Sequence, residues 1–493
     1  MLGNNRSSRT RTRIGSLSVA ILVLALGVAS IASAEGSSKE MGNGKEQVEE
    51  SRPPVAPVAN CETERPAIAT GARGVPIAPQ PETAPIPCES VIGTSSEAAD
   101  VGVEEPGSVF FAPLLLNTSS PPENVRQGPE EVVRTTNGGK SWTGLSSGGP
   151  TTGGLAPPWM SVDPATHRIW FVTPIMVAQE EACGARISWS DDGGNTWSTN
   201  PHVSCPGEGA EKLLEGPAPR GSAKPKGYEH VVYYCANEHD SKPLPIYCYK
   251  SLNGGKSFSE LSAHPDPTPP PGCAPAHPAR VGVVGPEGYL YFPTNLCGSV
   301  GVSVSKNEGK TWHNIPTGTT GITDNMYVSS IASDTEGNLY MTFLGPENLP
   351  QLIISRDHGQ HWTKPIGAFA PNLTGAMRIS ITANRPGEVA LAYLGTTDGQ
   401  DYNGYITESQ DVLKGSRVFW SQSVNNPTGP LVYGSNKTGF GNRLLYATDA
   451  LSPDGTAWAG FHCAMTSICP GQRLGIAGSL RWRPEPSKSQ TRK

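Results

Sequence analysis

Five near-copies of one octapeptide constrain this chain more than any other feature. The fullest copy is Ser190-Asp191-Asp192-Gly193-Gly194-Asn195-Thr196-Trp197, with the pattern Ser-x-Asp-x-Gly-x-Thr-Trp. The others run 135–142, 251–258, 305–312 and 355–362, with Asn137, Asn253, Asn307 and Asp357 in the place of Asp192. Their closing aromatics, Trp142, Trp197, Phe258, Trp312 and Trp362, fall 50 to 61 residues apart. Self-similarity at that period belongs to solenoids, propellers and arrays.

The chemistry of the octapeptide predicts a strand–turn–strand hairpin. An Asp or Asn oxygen accepts backbone N–H groups of the turn in which it stands. The glycine two residues on permits positive φ, which a tight hairpin requires. The Thr or Ser starts the return strand, and the aromatic offers a large apolar face to a neighbouring sheet.

Between octapeptides the chain reads as short strands. Val328 to Ala332 is a first strand, Asp334-Thr335-Glu336-Gly337 a turn, Asn338 to Leu344 a second strand and Gln351 to Ser355 a third. The octapeptide then returns the chain through a fourth, and four antiparallel strands make one propeller blade. The same order is expected over 159–197, 228–258, 279–312, 376–420 and 442–482, with the octapeptide degenerate in the fourth of these. A unit ending at Trp142 brings the count to seven, which is favoured. If its strands, 109–116 and 132–135, complete the last blade instead, the count is six.

The octapeptide resembles the Asp-box, or bacterial neuraminidase repeat, of the sialidase superfamily and other β-propellers. The resemblance implies an all-β propeller with the boxes on the face away from the active site. Any site then lies on the other face, among the second-to-third loops, the connections between blades and the mouth of the central channel. It further implies that a catalytic member holds a substrate carboxylate with three arginines, whose guanidinium forks match it. Such a member also uses a tyrosine nucleophile partnered by a glutamate, and an aspartate as acid/base. The Arg-Ile-Pro signature of that family near the first blade is missing here.

The candidates for those roles are Arg280, Arg378 and Arg443 on first strands, Tyr433 in the connection before the last blade, and Glu229 and Asp324 at or before first strands. The three arginines precede their turn glycines (Gly288, Gly387, Gly455) by 8, 9 and 12 residues. Side chains on a strand alternate faces, so this mixed parity opposes a common orientation unless bulges correct it. Two carboxylates facing across a pocket would instead permit ordinary glycoside hydrolysis. Two functions stay open: an exo-acting, sialidase-like glycoside hydrolase, or a non-catalytic propeller binding a glycan or cell-surface glycoprotein. The absent signature favours binding.

Residues 1–34 read as an export signal, with Arg6, Arg9, Arg11 and Arg13 before an apolar run to Ile31 and then Ala32-Ser33-Ala34. The run is also long enough to serve as an uncleaved anchor. Residues 35–107, rich in Pro, Glu, Ser and Gly, read as a disordered stalk. The propeller is expected over 108–485, with a polar tail at 486–493.

The ten cysteines suit an oxidising compartment. Nearest neighbours pair plausibly as Cys61–Cys88, Cys183–Cys205, Cys235–Cys248, Cys273–Cys297 and Cys463–Cys469. A net charge of −6 argues against a nucleic-acid footprint. The spacing of His202, His230, His239, His264 and His277 matches no metal motif, and no cofactor fingerprint occurs. Neither a metal nor a cofactor is expected, and the propeller is expected to be a monomer without membrane contact. Asn117, Asn372 and Asn436 open N-x-[ST] sequons.

Overall fold

A computed structural model describes residues 59–81, 83–95, 99–113, 131–146, 159–174, 185–203, 209–237, 246–265, 282–295, 299–321, 329–415, 417–433, 447–464, 469 and 473–482. Arg280, Arg443, Asp324, Cys183, Cys205, Cys273, Cys297, the export segment and the polar tail lie outside these residues. The described chain is all-β, its one helical element a single 3-10 turn at Ala72–Gly74.

Three strands precede the first complete sheet: β1 (Ala59–Cys61), β2 (Ile68–Thr70) and β3 (Ile86–Ser95). Blade one is β4 (Ala99–Glu105), β5 (Ser108–Pro113), β6 (Glu131–Thr135) and β7 (Thr143–Ser146). Blade two is β8 (Trp159–Val162), β9 (Ile169–Pro174), β10 (Ala185–Ser190) and β11 (Ser198–Val203). Blade three is β12 (Gly209–Gly216), β13 (Val231–Asn237), β14 (Ile246–Ser251) and β15 (Ser259–Glu260). Blade four is β16 (Val283–Val284), β17 (Leu290–Asn295), β18 (Ser299–Ser305) and β19 (His313–Thr320).

Blade five is β20 (Ser329–Ser333), β21 (Leu339–Leu344), β22 (Pro350–Ser355) and β23 (Ile366–Gly367). Blade six is β24 (Gly375–Ala383), β25 (Val389–Thr396), β26 (Asp401–Ser409) and β27 (Phe419–Ser423), with β28 (Val432–Tyr433) against β26. Blade seven is β29 (Thr448–Leu451), β30 (Ala457–Ala464) and β31 (Arg473–Arg481), completed by β3. The ring therefore has seven blades.

Seven hydrophobic cores fill the seven seams. Alternate residues of one strand serve opposite seams, as period-two side chains must: Phe110 packs toward blade two and Phe111 toward blade seven. Trp170 likewise faces blade three while Phe171 faces blade one. The circle closes where Trp458 and Ala477 of blade seven meet Val101 and Phe111 of blade one. Fully burying a side chain of this size stabilises by about 1.5–3 kcal/mol.

The spacer reading of 35–107 is overturned from residue 59 onward. β3 pairs with β31 from Ile86↔Arg481 to Ser95↔Leu474, and so joins the two ends of the ring. β1 adds a fifth strand outside β3, and β2 adds one outside β27 of blade six. A strand that completes another strand's ladder needs few apolar side chains, because its backbone N–H and C=O groups find partners already in place. That is why a Pro-rich stretch can be folded here. Among the described residues, strands joined to the propeller are consequently present from residue 59, and the first strand of blade one, β4, lies inside the segment read as stalk.

A second correction concerns blade three. The sequence places this unit over 228–258, yet Gly209–Gly216 is that blade's first strand and Val231–Asn237 its second.

Three of the five expected disulfides fall on described residues, and all three are formed. Cys61–Cys88 ties β1 to β3, Cys235–Cys248 crosslinks β13 to β14, and Cys463–Cys469 closes the loop after β30.

Candidate functional site

The octapeptides form the third-to-fourth turns of blades one to five, and each repeats one hydrogen-bond pattern. In blade two, Gly194 N donates to Ser190 Oγ at 2.8 Å, Ser190 Oγ donates to Asp192 Oδ1 at 2.8 Å, and Thr196 N donates to Asp192 Oδ1 at 2.8 Å. Thr135, Ser251, Ser305 and Ser355 receive the equivalent glycine N–H at 2.8–2.9 Å. The opening hydroxyl is thus as much part of the turn as the Asp or Asn, a role that the sequence reading missed. The Thr196 hydroxyl, donating to Asp192 Oδ2 at 2.6 Å, followed by Thr196 N and Ser190 Oγ, holds the Asp192 carboxyl down at about 2.

Each octapeptide also clasps the blade before it. Trp142, Trp197, Phe258, Trp312 and Trp362 are half-buried, and each packs against the seam that its own blade shares with the preceding one. The fourth residue of each turn has positive φ: Gly138, Gly193, Gly254, Glu308 and His358. Where it is glycine, an arginine of the preceding blade donates to its carbonyl. Arg134 reaches Gly193 O at 3.0 Å, Arg168 reaches Gly254 O at 3.2 Å, and Arg481 reaches Gly138 O. Where it carries a side chain, that side chain makes the link: Glu308 to Lys250 at 3.2 Å and His358 to Glu287 at 3.6 Å.

These turns share one end of the blades with the first-to-second turns, so the fold assigns them to structure. The first strands of all seven blades line a central cavity of about 350 Å³. Along β24, Arg378, Ser380 and Thr382 are partly exposed and line it, while Ile379 and Ile381 are buried in the seam with blade five. A register shift between Met377 and Ser380, with Arg378 at φ 57°, is the bulge that adjusts the parity of this strand.

From the other blades come Asp100, Trp159, Ser161, Glu215 and Asp449. Asp100 is buried, and its two oxygens accept Val101 N at 3.1 Å and Met160 N at 2.9 Å, joining β4 to β8. Among the described residues, Ser161 Oγ and Ser380 Oγ are buried without a hydrogen-bond partner.

Of the described residues singled out from the sequence for catalysis, Arg378 lines the cavity, and Tyr433 and Glu229 are not among the lining residues. Tyr433 stands in β28, opposite Asp401 at the second-to-third end of blade six, and is not among the lining residues. Glu229 is exposed in the first-to-second connection of blade three, at the octapeptide end. Its expected place at the head of a first strand fails because β12 takes that position.

A polar cluster lies close to Glu215. His230 Nδ1 is 2.7 Å from Asp163 Oδ2, Tyr228 OH donates to the same oxygen, and Ala165 N donates to Asp163 Oδ1 at 2.9 Å. Burial opposes the charge on His230, but the bond to Asp163 and the negative field of Asp163, Glu215 and Glu229 outweigh it and hold its pKa above the ordinary value. Burial also opposes ionisation of Asp163, yet the bonds from His230 and Tyr228 hold its carboxyl below the usual range. Arg168 adds a forked pair to Asp191 (2.6 and 2.7 Å) and lies 4.1 Å over the Tyr228 ring.

Among the described residues no group of His, Cys, Asp and Glu is arranged to hold a metal ion. Among them, too, no helix is long and apolar enough to cross a membrane.

No protein-family model matches the sequence, and no curated protein does. Among solved structures, the chain is similar to a protein of unknown function from Dyadobacter fermentans (13% identity, 80% of this chain and 98% of that one, TM-score 0.40). It is also similar to the NanB sialidase of Streptococcus pneumoniae (11% identity, 86% and 94%, TM-score 0.41). A third is the six-bladed fucose-recognising lectin of Aleuria aurantia (12% identity, 67% and 95%, TM-score 0.38).

Proposed function

We propose that this chain is an exported propeller that binds a glycan in its central channel. One observation carries the reading: two buried hydroxyls of the cavity lining, Ser161 Oγ on blade two and Ser380 Oγ on blade six, have no hydrogen-bond partner among the described residues. Buried polar groups are almost always hydrogen-bonded, so a ligand rich in hydroxyls is the complement such a lining calls for. Trp159 adds an aromatic face against which the apolar side of a sugar ring can lie. The resemblance of the octapeptides to sialidase-superfamily turns points the same way, and the three disulfides suit the oxidising space outside the cytoplasm.

A second reading is hydrolysis, favoured by two carboxylates of the same lining, Glu215 and Asp449. A glycan array probed with the full chain tests the first, and reporter release from neutral and acidic fluorogenic glycosides tests the second. Array binding that falls in Ser161→Ala and Ser380→Ala, with no reporter release, is the result expected. An array without signal sinks the binding reading, and turnover lost in Glu215→Gln or Asp449→Asn establishes the enzyme.

A further inference from the structure

We infer that the basic loop of blade three, residues 217–230, is a docking surface for a polyanionic glycan, a chain of sulfated or uronate sugars. It lies at the octapeptide end of the ring and is independent of the channel reading. Between their first and second strands, blades four to seven turn over 285–289, 334–338, 384–388 and 452–456. Blade three uses Pro217 to His230 for the same step.

The backbone of this loop is fastened down while its charges are left outside. Pro217, Pro219 and Pro225 each fix a φ angle. Pro219 O accepts Ser222 N at 3.0 Å, and Gly221, at φ 87°, supplies a positive φ at the third position of that turn. Lys226 N donates to Leu252 O at 2.8 Å, which lays the loop on the octapeptide of its own blade. A Cβ on Gly288 would stand 2.5 Å from Pro219 N, so the loop also presses on the first turn of blade four. Tyr228, near its end, is buried and bonds to Asp163.

On this frame Arg220, Lys224 and Lys226 stand exposed, and so does Lys256 on the octapeptide that anchors Lys226. Among the described residues none of these four side chains has a hydrogen-bond or ion-pair partner. The one acid of the loop, Glu229, lies at its foot, where its field falls on His230. Cations set this close in sequence repel one another, and a partner of opposite sign relieves that cost. No large apolar side chain of the loop is exposed, whereas attachment to a lipid surface pairs cations with inserted apolar residues. The whole chain carries −6, so a stiff nucleic-acid duplex laid across it would gain at the loop and lose elsewhere. A hydrated sugar polymer with regularly spaced anions needs cations without an apolar recess, and engages a few residues at a time.

The test is calorimetric titration of the full chain with a heparin hexasaccharide, a galacturonate hexamer and a neutral dextran oligomer at low and high salt, with sedimentation of phosphatidylglycerol vesicles alongside. Binding of either acidic sugar, weakened by salt, with none of dextran, is the result expected. Lys224→Gln should weaken it about threefold, and joint Arg220→Gln, Lys224→Gln and Lys226→Gln about tenfold or more, with a flatter dependence on salt. Lys140→Gln, exposed on the octapeptide of blade one, should leave affinity unchanged. Unchanged affinity in a triple variant that melts with the parent overturns the inference, as does sedimentation with vesicles in the absence of sugar binding. Loss of acidic-sugar affinity in Ser161→Ala, with the triple variant unaffected, moves that ligand to the channel and overturns the loop while leaving the channel reading in place.

Discussion

Arg481, on the last strand of the ring, donates to the carbonyl of Gly138 in the first octapeptide, 343 residues away in sequence. A Cβ on Gly138 would stand 3.0 Å from Arg481 Nη1, so a side chain there would press on the guanidinium. Ser90 Oγ donates to the neighbouring Gly139 O at 2.7 Å, so two side chains of blade seven hold this turn. Arg481→Met leaves the carbonyl short of its donor and should lower unfolding free energy by about 1–3 kcal/mol. Gly138→Ala, at φ 69°, should cost more than about 1 kcal/mol. In a double-mutant cycle by urea denaturation the two should be strongly non-additive. Additive losses would show that the seam does not depend on the pair.

The opening hydroxyl of the octapeptide should matter even though its sequence role is inconspicuous. Ser190 is buried and serves Gly194 N and Asp192 Oδ1 at once. Ser190→Ala should destabilise by about 1–2 kcal/mol, because the buried Gly194 N loses its acceptor. Ser190→Thr should retain most of it, since Thr135 occupies that place in blade one. A Thr variant as unstable as the Ala variant would contradict this account.

Glu89 on β3 gives the ring closure a pH dependence. Burial, then the neighbouring Glu62, push its carboxyl up to about 7, with Arg65 acting in the opposite sense. Arg65 itself reaches across to Ser423 Oγ at 3.0 Å and Asn425 O at 3.3 Å of blade six. The unfolded chain releases the Glu89 proton near 4.5, while the folded chain keeps it to about 7. The folded state thus binds more protons in that window, and stability falls as pH rises through it. Above about 7 the loss is complete and constant. Glu89→Gln should flatten the decline, as read from melting temperatures between those limits, and an unchanged slope would refute the assignment.

His230 should act in the same direction by a different route. Its folded pKa is raised by Asp163, so the pair contributes fully below the ordinary histidine value of 6.5 and is lost as pH climbs through the folded value. His230→Gln should therefore lower stability in mild acid and leave it nearly unchanged in alkali. Equal destabilisation at both ends would mean that the ring matters only for packing, for instance against Tyr228 at 6.0 Å.

The ring was legible in the sequence wherever a blade carried its octapeptide. Serine, carboxamide or carboxylate, glycine and aromatic act within eight residues, so local chemistry suffices to place the turn. What escaped was non-local. β3 and β4 sit in a segment whose composition reads as disordered, and they fold because β31 and the first blade supply their partners. β12, sequence GAEKLLEG, lacks the β-branched signature of a strand and is fixed by its ladder to β13. The cavity residues followed the same rule: Asp100 and Glu215 went unnoticed because their strands did. Arg378 was found because its strand was, even though the bulge that sets its parity has no sequence signal.

The pairing of β3 with β31 has a consequence for biosynthesis. Roughly 380 residues separate the two strands, which at ribosomal rates is on the order of half a minute or more. Throughout that interval the nascent chain holds an edge with no mate, the kind of template on which chains stick to one another. A polypeptide threaded across a membrane before folding would meet both halves on the far side at nearly the same time. Translocation in the unfolded state suits a ring whose last stitch is made with its first thread.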